Sequence, residues 1–189
     1  MSSSINVLVE AKSECIDKLT RVISPIAIEL MLTLYNDAVE MSKGRQPLKQ
    51  YQKLLQEVKS WSDTINHDHT QRVLESCNYF RDILTAVFIC YTKIMSSIRL
   101  GSVKKSISLK IPSDAIFIHH VCKELADSLY NDPYFIQELG DYQIKQELMK
   151  RIRAAVEVSV KALSPLDEIL KTYVNQDELN FEEDEGDST

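Results

Sequence analysis

A chain of 189 residues, 44% hydrophobic and 26% charged, is the size of one ordinary globular domain. At that size about 70% of the unfolded surface is buried, so neither a metal nor a disulfide is required for stability. Four glycines and five prolines are too few for the turns of a β-sandwich or an α/β sheet, which leaves an all-α class. The net charge of -6 is local: Asp177, Glu178, Glu182, Glu183, Asp184, Glu185 and Asp187 follow Lys171 with no basic residue among them. Setting those seven charges aside leaves the body at +1, without a field to draw it to nucleic acid.

The first segment, MSSSINVLVEAK, has no basic leader and carries Glu10 early, unlike a signal peptide. Ile5, Val9, Ile16, Leu19 and Ile23 form a helical stripe. Ser24-Pro25 is expected to stop that helix and start another, with serine as N-cap and proline at the first position. The next helix carries two stripes, Ala27, Met31, Leu34, Ala38 and Met41 beside Ile28, Leu32, Tyr35 and Val39, so more than one neighbour packs on it. Gly44 and Pro47 mark the next boundary. A third helix places Tyr51, Leu54, Val58, Trp61 and Ile65 on one face; residues 66 to 70 break the pattern, and a short helix follows around Arg72 to Cys77.

Phe80, Leu84, Val87, Tyr91, Ile94 and Ile98 then share one face of a helix whose other side holds Phe88 and Ile89. A helix apolar on most sides is surrounded by others, which makes this the expected hub of the bundle. Its apolar run, Ile83 to Tyr91, falls short of the roughly 20 residues of a membrane span. After Gly101, the residues Val103, Ile107, Leu109 and Ile111 alternate with Lys104, Ser106, Ser108 and Lys110, the spacing of a lone strand. Pro112-Ser113-Asp114 restarts a helix that buries Ile118, Val121, Leu125 and Leu129. Asp132-Pro133 opens a short turn closing near Gly140, and a long helix from Asp141 carries Ile144, Leu148, Ile152, Ala155 and Ala162. Ser164-Pro165 with Asp167 starts a last helix through Leu166, Ile169, Leu170 and Tyr173. The expected organisation is a single helical bundle over residues 1–174 around the hub, with one short extended segment, and an acidic tail over 175–189.

Chemistry-bearing residues do not fall into a known catalytic pattern. His67-Asp68-His69 offers two ligands from a loop, and His119 with Cys122 shares a helix face, but zinc needs three or four donors. Cys15, Cys77, Cys90 and Cys122 stand apart among apolar neighbours, as buried free thiols in a reducing compartment would. There is no P-loop, GxGxxG, HExxH or GxSxG. The expectation is a protein without enzymatic activity, metal or cofactor. Arg99, Lys104, Lys105 and Lys110 lie in an acid-free, serine-rich connector; with no aromatic interleaving this is a weak signal for nucleic acid, and it reads first as a solvated connector and next as a protein contact. The lone Trp61 is read as an anchor of the bundle or of an interface.

Several segments carry a resemblance: Ile23-Ser24-Pro25 with Tyr35 and Asp37-Ala38, YQKLLQEVKSWSDTI (51–65), LTAVFICYTKIMSSIRL (84–100), SLKIPS with FIHHVCKELADSLYNDPYFI (108–136), and LSPLDEILKTYV (163–174). In order and spacing they resemble a helical protein family of nucleocytoplasmic large DNA viruses of the chlorella-virus and giant-virus type. The resemblance implies a virion protein made in the host cytoplasm. The expected role is a minor capsid (cement) protein contacting the major capsid protein and other minor capsid proteins. The alternative is an intracellular regulatory or nucleic-acid-associated helical adaptor. The residues expected to make contacts are Arg99, Lys104, Lys105, Ile107, Leu109 and Lys110, together with Asp177, Glu178, Glu182, Glu183, Asp184, Glu185 and Asp187.

Overall fold

The computed structural model describes residues 2–99, 109–171 and 174. The elements are α1 (Ser2–Met41), α2 (Pro47–Glu57), a 3-10 turn (Val58–Ser60), α3 (Asp63–Ser76), α4 (Phe80–Arg99), α5 (Asp114–Asn131), the short α6 (Phe135–Glu138) and α7 (Asp141–Ala162). Residues 166–171 are again helical, and no strand occurs among the described residues. The all-α expectation holds, with one core shared by all the long helices.

The hub is α1, not α4. At 40 residues α1 runs about 60 Å, and α2, α3, α4 and α7 all pack along it. Leu19, Ile23, Ala27, Met31 and Ala38 are buried on its length. The helix α4 lies against α1 and touches α7, with Phe80, Leu84, Val87 and Phe88 fully buried. By length and composition α1 could cross a membrane, and 33% of its most apolar window is buried against neighbouring helices.

Proline 25 does not divide α1. A proline inside a helix removes one hydrogen bond and costs about 3 kcal/mol. Its ring sits on the exposed side, while Ile23, Ile26 and Ala27 beside it are buried and hold the helix through the defect. Ser24 and Thr20 are buried too, and each donates its hydroxyl proton to the carbonyl four residues back, at 2.5 and 2.7 Å. The expected helix break here is therefore overridden by tertiary packing.

Two further boundaries differ from the periodicity. The stripe from Tyr51 to Ile65 is cut after Val58 by the 3-10 turn, and Ser62 starts a new helix by accepting from the Ile65 amide at 3.4 Å. From that cap α3 continues unbroken across residues 66–70, because Thr70 and Val73 face the core while His67 and Asp68 face out. Ser113 caps α5 in the same way, accepting from the Ile116 amide at 3.2 Å. At the far end of α7, Ala162 is exposed rather than part of the buried stripe. Of the expected strand, residues 103–108 lie outside the described residues; Leu109 and Lys110 are exposed coil, and Ile111 packs on the core.

Candidate functional site

Three arrangements could carry chemistry, and each proves to be structural. In the first, His120 on α5 reaches α7, its Nδ1 lying 2.9 Å from the Ser159 hydroxyl, with Glu124 3.9 Å from Nε2. The order Glu-His-Ser resembles a hydrolase triad. Ser159, however, has no exposed surface and donates its only proton to the Ala155 carbonyl at 2.7 Å. It therefore accepts from His120 Nδ1–H, and no substrate reaches it. Burial is the main reason that the His120 imidazole is held below its usual range, partly countered by Glu124.

The second arrangement centres on Trp61. His69 of α3 lies 5.1 Å from the indole, and His119 of α5 stacks on it at 6.5 Å with 17° between planes. His119 Nε2 donates to the Val58 carbonyl at 2.9 Å, while Asn66 bridges the Trp61 carbonyl and His119 Nδ1 at 3.2 and 3.4 Å. Both nitrogens of His119 are thus committed to holding α3 and the 3-10 turn against α5. His69 Nδ1 is buried without a partner, and burial lowers its affinity for a proton. One free nitrogen is not a metal site, and no group of three or more His, Cys, Asp or Glu side chains converges among the described residues. Trp61 anchors the bundle.

The third is Arg151 of α7. Its guanidinium donates to Glu147 at 2.9 Å, to the Ser128 carbonyl and hydroxyl at 3.0 and 3.2 Å, and to Asp132 at 2.6 Å, and it lies over the Phe135 ring at 4.6 Å. One side chain fastens α5, α6 and α7. The cysteines are unpaired; Cys122 is fully enclosed, which pushes its thiol up to about 12, and burial also raises Cys15, which faces Cys90 across α1 and α4.

Outside these fasteners, the turn between α1 and α2 carries a concentration of positive charge that sequence reading missed. Lys43, Arg45, Lys49 and Lys53 are all exposed, and no acid occurs from Met41 to Leu55. Arg45, Lys49 and Lys53 line a shallow depression of about 230 Å³ with Ser42, Gln46 and Gln50. Lys43, Gly44 and Gln46 adopt left-handed backbone, which folds the turn so that Arg45 continues the row set by Lys49 and Lys53. The signal was there as an acid-free basic run from Lys43 to Lys53, which a reading of apolar stripes passes over.

Residues 5–137 match a family of unknown function (DUF5764). The chain belongs to this family. The DUF5764 match extends from α1 through α6, including the basic turn, the Trp61 cluster and His120, and it ends before α7 and Ser159. Among curated proteins and among solved structures, none matches.

Of the contact residues expected from sequence, Arg99 ends α4, while Leu109 and Lys110 are exposed just ahead of α5. Lys104, Lys105, Ile107 and the seven acids from Asp177 to Asp187 lie outside the described residues. Arg81, at the start of α4, donates to the Pro112 carbonyl at 2.6 Å and to Asp114 at 3.2 Å, fixing where the connector rejoins the bundle. The connector thus leaves one end of α4 and rejoins at the other, about 27 Å away over 18 helical residues.

Proposed function

We propose that this DUF5764 protein is a non-enzymatic structural component of a viral particle, a minor capsid (cement) protein working through its surfaces between major capsid subunits and other minor capsid proteins. The observation that carries the reading is how the chain uses its reactive groups. Ser159, His120, His119 and Arg151 are all consumed in joining helices, and the charge left over is segregated on the outside. The resemblance of the segments from Ile23 to Val174 to a helical family of large DNA viruses supports the setting. In this reading the acidic tail, residues 175–189, and the connector with Arg99, Lys104, Lys105, Ile107, Leu109 and Lys110 face neighbouring subunits, and the alternating segment from Val103 to Ile111 adds an extended edge to one of them.

Quantitative mass spectrometry of purified particles, set against the infected-cell lysate, tests the proposal. A constant copy number relative to the major capsid protein, retained through repeated purification, is the expected result. Abundance in the lysate with loss from particles would refute it. The exposed cations of the α1–α2 turn favour one competing reading, an intracellular nucleic-acid-associated adaptor. That reading requires an affinity for DNA that falls steeply with salt.

A further inference from the structure

We propose that the acidic C-terminal segment of one copy of this protein docks on the cationic α1–α2 turn of a second copy, joining chains head to tail. The inference rests on charge placement alone and is independent of the virion reading.

The acceptor is defined by position. Arg45, Lys49 and Lys53 follow one another at four-residue spacing along one depression, with Lys43 beside them. None of the four has an ion-pair partner among the described residues, and they stand together with no acid from Met41 to Leu55. Like charges one helical turn apart repel, so the turn is relieved by an anion from outside. The complementary charge occurs in the same sequence: five of the six residues from Glu182 to Asp187 are acidic, and no basic residue follows Lys171.

A second copy is favoured by where the two ends lie. The helix α7 runs antiparallel to α1: Arg153 pairs with Asp17 at 2.9 Å, and Ile144 shares a groove with Leu32, Tyr35 and Asn36. Its C-terminal end therefore sits beside Lys12 and Ile16, lining a pocket with Val160 and Lys161. The cationic turn is at the other end of α1, about 45 Å away over the 30 residues from Lys12 to Ser42. The 16 residues from Lys171 to Asp187 span at most about 55 Å. Docking on its own chain would take up most of that extension, whereas a neighbour's turn sets no such requirement. Donor and acceptor are different surfaces at opposite ends, so the contact is heterologous and propagates into rings or rows of subunits.

Sedimentation velocity of the full chain over a concentration series, between roughly 0.02 and 0.3 M salt, tests this. The weight-average mass should climb above 21.7 kDa with concentration at low salt and return to it at high salt. Reversing the patch (Lys49→Glu with Lys53→Glu) should weaken association by about tenfold or more, and so should reversing the tail (Glu182→Lys, Glu183→Lys and Glu185→Lys). An equimolar mixture of the two variants should associate again, because each supplies what the other lacks. Circular dichroism checks that every variant keeps its helix content. The proposal is overturned by a chain that stays monomeric at low salt, or by association that survives patch reversal. It is equally overturned if association is lost on Lys104→Glu with Lys105→Glu but not on patch reversal. A patch that ignores the tail and binds an oligonucleotide instead would also overturn it.

Discussion

Replacing Arg151 by methionine removes the guanidinium that ties α7 to α5 and α6 while leaving an unbranched stem in place. The largest loss is the charged hydrogen bond to the Ser128 carbonyl and hydroxyl, partly buried and worth about 1.5–3 kcal/mol. The Glu147 pair, one helical turn away, adds about 0.2–0.5 kcal/mol, and the Phe135 ring about 0.5–1 kcal/mol. Asp132 is 56% exposed, so despite its 2.6 Å contact it contributes less than about 1 kcal/mol. These contributions share one side chain and do not add fully, which gives an expected cost of about 3 kcal/mol. That is a large part of a total of about 5–15 kcal/mol, and it lowers Tm by about 6–12 °C. Urea unfolding followed by far-ultraviolet circular dichroism reads the change as a shifted midpoint at constant slope. Arg151→Lys should recover little, because an ammonium cannot replace the planar fork. The reasoning fails if Arg151→Met lies within about 0.5 kcal/mol of wild type, or if Asp132→Asn costs as much as Arg151→Met.

The hub assignment predicts that Leu19→Ala costs about 2–5 kcal/mol whereas Val7→Ala, on the exposed end of the same helix, costs less than about 0.5 kcal/mol in the same unfolding assay; equal costs would remove α1 from the centre. Pro25→Ala, on the exposed side of α1, should stabilise by about 1–3 kcal/mol by restoring the missing amide, and a lower Tm would show that the helix is built around the proline. Burial holds His69 and His120 below their usual range near 6.5, so the unfolded chain takes up protons first as pH falls. Their contribution to stability is complete above that value and is lost as pH drops toward the folded-state values. Tm should therefore fall between about pH 7.5 and 5.5, and less so in His120→Gln; a Tm that rises over this interval would contradict the burial account.

Sequence alone determined the helical class, because sparse glycine and proline and a repeated 3-4 spacing run along most of the chain. It also placed the serine start of α5, since a side chain closing on an amide three residues ahead needs no distant partner. The buried stripe of α5, that of α4 as far as Ile94 and most of that of α7 were legible for the same reason. What it misjudged depended on neighbours distant in sequence. Pro25 looks like a boundary until Ile23, Ile26 and Ala27 are seen packed against other helices, and that mistake hid the 40-residue hub. The apolar α4 looked central because periodicity reports how much of a helix is buried, not how many partners bury it. His119 looked like a possible ligand because its partners, Val58 and Asn66, are 61 and 53 residues away in sequence, and the pairing of His120 with Ser159 across 39 residues was not visible at all. The cationic turn followed the same logic in reverse. Its four charges were visible one by one, but only the left-handed backbone at Lys43, Gly44 and Gln46 and the packing of α2 on α1 set Arg45, Lys49 and Lys53 in one row facing water.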